Sequence, residues 1–280
     1  VAGAKGPLLV RGGGTRTLGL AEGEVLETGG LSGVVLYEPA ALTLVARAGT
    51  PLAEVERVLA GEGQRLAFEP PDLCGLLGRK GVSTLGGVIA ANASGPRRVQ
   101  AGAARDAALG LRFVDGTGTV IKNGGRVMKN VTGYDLVKLL AGSRGVLGVL
   151  CEVSLKLQAR PEAELTLVIE GLGEEAGLQA LRAALGSPFD VSGAARHSGR
   201  SLVRVEGMAG SVAYRAGRLG AVTGGEVSLV EGAASTALWR EIRDVTPFAG
   251  REGEVWRIAT LPTAAAGIVA RRPFADLAAL

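Results

Sequence analysis

Gly81-Val-Ser-Thr-Leu-Gly-Gly-Val-Ile-Ala-Ala-Asn-Ala-Ser-Gly-Pro96 is the stretch around which this chain is organised. Two hydroxyls, Ser83 and Thr84, precede the adjacent pair Gly86 and Gly87, and a run of small residues follows. Adjacent glycines let a backbone come close to a ligand, because no Cβ intrudes and positive φ is open to them. Val88 to Ala91 can begin a short helix, whose first N–H groups have no partner within the helix. Those donors and the helix dipole favour an anion such as a phosphate. A plainer reading stands beside this one: small residues let two elements pack closely.

A second stretch points the same way. Pro7-Leu-Leu-Val-Arg-Gly-Gly-Gly-Thr15 reads as a short apolar strand entering a glycine-rich turn. Three consecutive glycines present a row of backbone N–H groups that can form an anion-binding nest. The chain has no G-x-x-x-x-G-K-[ST] phosphate loop, since Lys80 is followed by Gly81 and Val82, and this turn is not a G-x-G-x-x-G dinucleotide fingerprint. Two separate glycine nests imply one long ligand with a central diphosphate.

Arg11-Gly-Gly-Gly-Thr15 together with Ser83-Thr-Leu-Gly-Gly87 resembles the FAD-binding domain of the vanillyl-alcohol oxidase and p-cresol methylhydroxylase (PCMH) flavoproteins. Ala48-Gly-Thr-Pro-Leu-Ala-Glu54, Leu66-Ala-Phe-Glu-Pro-Pro71, Ser94-Gly-Pro-Arg-Arg98, Gly102-Ala-Ala-Arg-Asp106 and Val127-Met-Lys-Asn-Val-Thr-Gly-Tyr-Asp135 narrow the resemblance. They are similar to the FAD-binding subunits of bacterial glycolate oxidases, from about Pro7 to Pro161 and more weakly through Pro262. The resemblance implies an α+β fold, with a PCMH-type FAD-binding domain of two α/β subdomains over 1–160. A short α/β cap over 161–280 would follow.

The resemblance also implies which residues hold FAD. They are Arg11, Gly12, Gly13, Gly14 and Thr15 in the first turn, Pro71 at a rigid bend, and Val149 in a strand. The central stretch contributes Ser83, Thr84, Leu85, Gly86, Gly87, Ala90, Asn92, Ser94 and Gly95. It implies oxidation of glycolate to glyoxylate, with electrons passing through flavin to a second flavin-containing catalytic subunit and an iron–sulfur subunit. Two other readings stay open: a partner that holds FAD without turnover, or an autonomous FAD-dependent dehydrogenase of a 2-hydroxy acid such as D-lactate.

Composition narrows the setting. At 280 residues with 47% hydrophobic content, the chain can build one large or two medium cores. A formal net charge of +4, without a basic block carrying interleaved aromatics, gives no argument for nucleic acid. Cys74 and Cys151 lie far apart with no metal-ligand spacing, so two reduced thiols and no metal are expected. No apolar run reaches transmembrane length and no signal pattern opens the chain. The expected location is the cytoplasm, either free or peripheral at the inner membrane through partners. The sequence opens on Val1 rather than Met, which leaves its natural start open.

Along the chain, Val34–Tyr37 and Leu42–Ala48 read as strands. Thr50 and Pro51 suit the N-cap and first turn of a helix with Leu52, Val55, Val58 and Leu59 on one face. Asp115-Gly116 between Leu109–Val114 and Thr119–Lys122 predicts a hairpin. A helix over 135–140 precedes a strand that places Val149, Cys151, Val153, Leu155 and Leu157 on one face. Beyond Pro161, strands are predicted at 165–169, 202–206, 226–230 and 255–259, with helices around 176–185, 212–219 and 236–243. That alternation implies a sheet covered on one side.

The chain has a single histidine, His197, so no Ser-His-Asp or histidine-based metal site can be assembled. Neither flavin stretch contains Cys or His, and FAD is therefore expected to be held non-covalently. Arg97, Arg98 and Arg105 follow the central glycines and could neutralise a diphosphate, or instead form ion pairs, Arg105 with Asp106. Lys129, Asn130 and Tyr134 match the family's motif without an assignable chemical step, and Tyr134 is the candidate substitute for a catalytic base. No catalytic residue is assigned. The cap is short and poor in histidine, a departure from related enzymes that leads us to expect turnover only within a complex.

Overall fold

The computed structural model describes residues 1–16, 22–127 and 133–271. Contacts divide the chain into two units. The first comprises Val1–Gly95 and Gly102–Arg160; the second comprises Pro161–Leu280 together with six residues borrowed from the earlier chain, Pro96–Ala101.

In the first unit, β1 (Leu8–Arg11) and β2 (Glu24–Glu27) form a parallel pair. A five-stranded sheet carries β3 (Val34–Glu38) and β4 (Thr43–Arg47). The two-residue strand β5 (Gln64–Arg65) lies outside it, whereas β6 (Ala108–Val114), β7 (Val120–Gly124) and β8 (Val149–Lys156) complete it. Its order is β3-β4-β8-β6-β7, every neighbour antiparallel. β9 (Gln158–Ala159) pairs with β5. The predicted hairpin forms: Val114 faces Val120 across Asp115–Thr119, and the Asp115 carboxylate accepts the N–H groups of Thr117 and Thr119.

Helix α1 (Leu52–Gly61) buries Leu52, Val55 and Leu59 against this sheet. Its start differs from expectation by one residue, because Pro51 with φ −55° and ψ 133° is itself the cap. The Thr50 hydroxyl is engaged elsewhere; it donates to the Arg47 carbonyl and accepts from the Gly33 N–H. The helical turn α2 (Cys74–Leu77) leads to α3 (Leu85–Ala90), which buries Leu85, Val88 and Ile89. α4 (Arg98–Ala101) is the helical part of the borrowed segment, and α5 (Ala104–Ala107) returns the chain to the first unit. α6 (Leu136–Leu140) is capped by the Asp135 carboxylate, which accepts from the Lys138 N–H.

The second unit is a four-stranded antiparallel sheet of β10 (Ala163–Glu170), β11 (Gly193–His197), β12 (Arg200–Gly207) and β13 (Glu226–Glu231), in the order β11-β12-β10-β13. Both faces are covered, which corrects the one-sided expectation. α7 (Glu174–Leu185) and α8 (Ala209–Thr223) pack with Leu165, Leu167 and Ile169 on one face. α9 (Gly232–Arg243) seats Trp239 and Ile242 on Val168, Ala195 and Leu202 on the other. The short α10 (Ala265–Ala270) adds Ala265 and Ala266 to the first of these clusters. The strand predicted at 255–259 does not form. Val255, Trp256 and Ile258 are exposed, and a strand needs an edge to pair with.

Candidate functional site

Within the first unit, four stretches separated in sequence meet. The turn after β1 lies against the start of the central stretch so closely that a Cβ on Gly13 would stand 1.5 Å from the Val82 carbonyl oxygen. A Cβ on Gly81 would stand 2.2 Å from the Gly13 oxygen, and one on Gly12 2.5 Å from the Thr84 hydroxyl. Gly86 meets Ala48 in the same way, and its N–H donates to the Ala48 carbonyl at 2.6 Å. Gly13, Gly81 and Gly86 thus make close approaches to backbone and Gly12 to the Thr84 side chain. Gly87 is less crowded. A Cβ there would meet only the Thr84 hydroxyl, at 3.2 Å. Gly14, with φ +67°, is the turn residue that needs positive φ.

The central stretch is anchored at both ends. Its start is tied to α1, the Leu52 N–H donating to the Ser83 carbonyl and the Leu85 N–H to the Thr50 carbonyl. Thr84 caps α3 by accepting the Gly87 N–H at 3.3 Å. At the far end, Asn92 adopts φ +47°, its side-chain oxygen accepts the Arg105 N–H, and the Ser94 hydroxyl accepts the Ala104 N–H. The Gly95 N–H donates to Phe68. The loop before Val149 closes over the same place. The Gly142 and Arg144 N–H groups donate to the carbonyls of Ile89 and Ala90, and a Cβ on Gly145 would lie 3.2 Å from Val10.

Pro71 is the fourth stretch, and the residue that joins it to the others was missed from the sequence. The Arg16 guanidinium donates from Nη1 to the Ser83 hydroxyl at 2.5 Å and to the Thr15 hydroxyl at 3.3 Å, and from Nη2 to the Pro71 carbonyl. The only available signal was an arginine directly after a glycine turn. Arg11, by contrast, forms an exposed ion pair with Glu27 and braces β1 against β2.

Of the two readings of the three arginines after the central glycines, ion pairing is the one the geometry shows for Arg97 and Arg105. Arg97 is buried in the second unit and donates from Nε and Nη2 to the Glu206 carboxylate at 2.9 and 3.1 Å. Arg105 pairs with exposed Asp106 at 3.8 Å, and Arg98 is exposed. The Asp106 carboxyl is held below its usual range by the Ala103 N–H, Lys138 and Arg105, which together outweigh the opposing effect of burial.

Tyr134 is 89% exposed and borders a cleft of about 240 Å³ lined with Asp106, Asn123, Lys138 and Lys156. Lys129 and Asn130 lie outside the described residues. His197 ends β11 beside Ser198, 3.1 Å from its hydroxyl. Both thiols are pushed up chiefly by burial, and Cys151 is half-buried rather than a core residue. Glu164 is also raised, again chiefly by burial, but its carboxylate is committed to the hydroxyls of Ser235 and Thr236. Among the described residues, no group of three or more His, Cys, Asp or Glu could hold a metal ion, and no helix is long and apolar enough to cross a membrane.

The first unit thus offers glycine turns held rigidly by their neighbours, hydroxyls at Thr15 and Ser83, a less crowded glycine at Gly87, and a tethered guanidinium. Exposed Val82, Val146 and Leu147 lie on the same loops. This donor set fits a dinucleotide with an apolar ring system. Residues 1–124 match the FAD binding domain family. The chain belongs to the FAD-binding oxidoreductases of the PCMH type, whose cofactor is FAD.

Within that family it is similar over most of its length to the glycolate oxidase subunit GlcE of Escherichia coli. The two are 38% identical over 262 residues, covering 92% of this chain and 70% of that subunit. The glycolate oxidase subunit GlcD of Bacillus subtilis is 33% identical over 58% of this chain, which spans 34% of GlcD. An alkyldihydroxyacetonephosphate synthase structure shares the fold, with a TM-score of 0.66 and 18% identity over 86% of this chain and half of its own.

Proposed function

We propose that the chain is the FAD-binding subunit of a glycolate oxidase complex, in which glycolate is oxidised to glyoxylate and electrons leave through partner subunits. The observation that carries this reading is the meeting of the glycine turns at 12–14 and 81–87 with Pro71 and the 142–149 loop. The similarity to GlcE over most of both chains supports the substrate. In this reading FAD is held without a covalent bond at the residues named from the sequence, with Arg11 bracing β1 and β2, Leu85 packed in the core, and Gly12, Gly13 and Gly86 acting through the close packing of the turns. When bound, the flavin supplies a two-electron acceptor for the hydride of a 2-hydroxy acid.

The chain's own residues bind and orient. Thr15 and Ser83 offer hydroxyls to the diphosphate beside the Cβ-free face of Gly87, and the packed glycines keep the turns from shifting. Oxidation of a 2-hydroxy acid also needs a cation for the carboxylate and a base for the hydroxyl proton. The single histidine adjoins Ser198, and the raised carboxylate of Glu164 is bound within the second unit's packing. For that reason we place turnover in a complex with a second flavin subunit and an iron–sulfur subunit, cytoplasmic or peripheral at the inner membrane.

Two measurements test this. The purified chain should be yellow and release its flavin on acid precipitation; a colourless chain that takes up no added FAD would refute it. Mixed anaerobically with glycolate, the flavin should bleach only once a second flavin subunit is present. Rapid bleaching by the chain alone would make it an autonomous dehydrogenase, and no bleaching in the complex would leave it a structural holder of FAD.

A further inference from the structure

We infer that Arg97 is a positioning residue for the cofactor: its pairing with Glu206 ties the exit of the flavin stretch to β12, so that FAD occupancy and the order of β12 are coupled. The inference rests on the flavin-binding reading above. The ion pair itself lies wholly within the second unit. What carries the coupling is the chain on either side of Pro96–Ala101, which belongs to the first.

The six borrowed residues form a loop whose base is pinned in the first unit. On the entering side, the Asn92 and Ala93 N–H groups donate to the carbonyls of Ile89 and Val88 in α3, and the Gly95 N–H donates to Phe68. On the returning side, the Ala104 N–H donates to the Ser94 hydroxyl and the Arg105 N–H to the Asn92 side-chain oxygen. Both passages are stiff. The ring of Pro96 fixes its φ, and Gly102 takes φ +79° with Asp106 3.1 Å from where a Cβ would stand. A displacement of Arg97 is therefore passed to the base of the loop and on to α3, the helix that carries Gly87.

Two side chains hold the tip of the loop. Arg97 is 6% exposed, and its Nε and Nη2 donate to the two Glu206 carboxylate oxygens at 2.9 and 3.1 Å. The Gln100 amide donates to the Asp190 carboxylate at 2.8 Å. A buried ion pair adds little net stability, because desolvation offsets the attraction. A bidentate fork on a carboxylate does impose one geometry. An apolar side chain in place of Arg97 would be buried as readily and would fix the loop less sharply, which marks the pair as a device for position.

The test separates position from stability. FAD is titrated into the flavin-stripped full chain as wild type, Arg97→Met, Arg97→Lys and the double variant Arg97→Met/Glu206→Gln, and hydrogen exchange in β12 is followed with and without FAD. The double variant removes one buried charge of each sign, so it should unfold closer to wild type than Arg97→Met does. Its FAD affinity should nevertheless fall by about 2- to 30-fold, the range for substitutions along a coupled network. Arg97→Lys should recover part of that loss, because it keeps the charge and loses the fork. Coupling is reciprocal, so FAD should slow exchange in β12 of the wild type and leave it unchanged in the double variant. Wild-type FAD affinity in the folded double variant would overturn the inference. So would β12 exchange that ignores FAD in the wild type, or that FAD slows equally in both proteins. A wild-type chain that binds no FAD would instead refute the flavin reading on which the inference rests. Should the double variant fail to fold, Arg97→Lys and the wild-type exchange still decide.

Discussion

The two units solve the problem of order in opposite ways. In the first, order is carried by backbone. Gly13, Gly81 and Gly86 bring main chains to distances that no Cβ would allow, and N–H groups close the loops over one another. In the second, order is carried by polar side chains buried in the sheet. Glu206 accepts from Arg97 and lies 3.7 Å from Arg204, whose guanidinium stacks 4.5 Å over the Trp239 ring. The Trp239 indole N–H donates to Thr166, which shares a hydrogen bond with Ser235, which in turn donates to Glu164. A site that must admit a ligand leaves its faces empty and is built on glycine. A scaffold that admits nothing can fill itself with charge, provided that each charge is matched.

The contrast can be broken in either unit, and the largest effect belongs to the second. Glu206→Gln leaves two buried arginines facing a neutral amide, and losing one partner of a buried pair costs about 3–5 kcal/mol. Denaturant titration should show that loss, with hydrogen exchange rising in β10 and β12. A change within a few tenths of a kcal/mol would mean that the pair is no more than a surface bridge.

In the first unit Gly13→Ala should cost about 3 kcal/mol, at the upper end for overpacking, because its Cβ would overlap the Val82 carbonyl. Gly87→Val tests the other half of the argument. Its effect should fall on FAD affinity and spare folding, whereas Val88→Ile, one residue on and fully buried, should alter folding and spare FAD. Equal FAD affinity for Gly87→Val and wild type would assign Gly87 to packing with the other glycines.

Trp239→Phe removes the bond to Thr166 and weakens the stacking on Arg204, for a loss of about 1–2 kcal/mol. Chemical unfolding of the variant checks it, and an unchanged midpoint would remove the ring from the network.

The smallest effect is a slope. The Glu164 pKa is raised in the folded chain, so the folded state holds its proton more tightly than the unfolded state. Its contribution to stability is therefore present at low pH and is lost as pH rises from the ordinary carboxylate range through the raised value. Glu164→Gln should flatten that decline above the ordinary range. The same slope in both proteins would exclude Glu164 as its source.

Much of the fold was legible because alternation is a local signal. β3, β4, β6, β8, β10, β12 and β13 follow apolar runs that periodicity picks out. β11, with the sequence Gly-Ala-Ala-Arg-His, has no such run and was passed over; pairing with β12 makes it a strand. Residues 255–259 have the run and lack a strand beside them. The helix that carries Trp239 was expected over 236–243, but nothing local in the sequence told that it packs on the opposite face of the sheet from α7 and α8. In the site, the glycine motifs were plain from sequence, but their division of labour was not. Whether a glycine faces a carbonyl or open space depends on chain 60 to 70 residues away, as at Gly13 and Val82. The roles of Arg16 and Arg97 are set by partners 67 and 109 residues distant, beyond the reach of any local pattern.

The borrowed segment has a consequence for how the chain is made. Ribosomes deliver residues in order, at about 5–20 per second. Arg97 is therefore synthesised roughly 5–20 s before Glu206, its partner 109 residues later. The flavin stretch ends at Gly95 and can close while the six residues after it still await β12. Until β12 emerges, a nascent chain carries Arg97 without the sheet that will bury it. Vectorial synthesis thus gives the two units a fixed calendar, and the second begins with a piece delivered early.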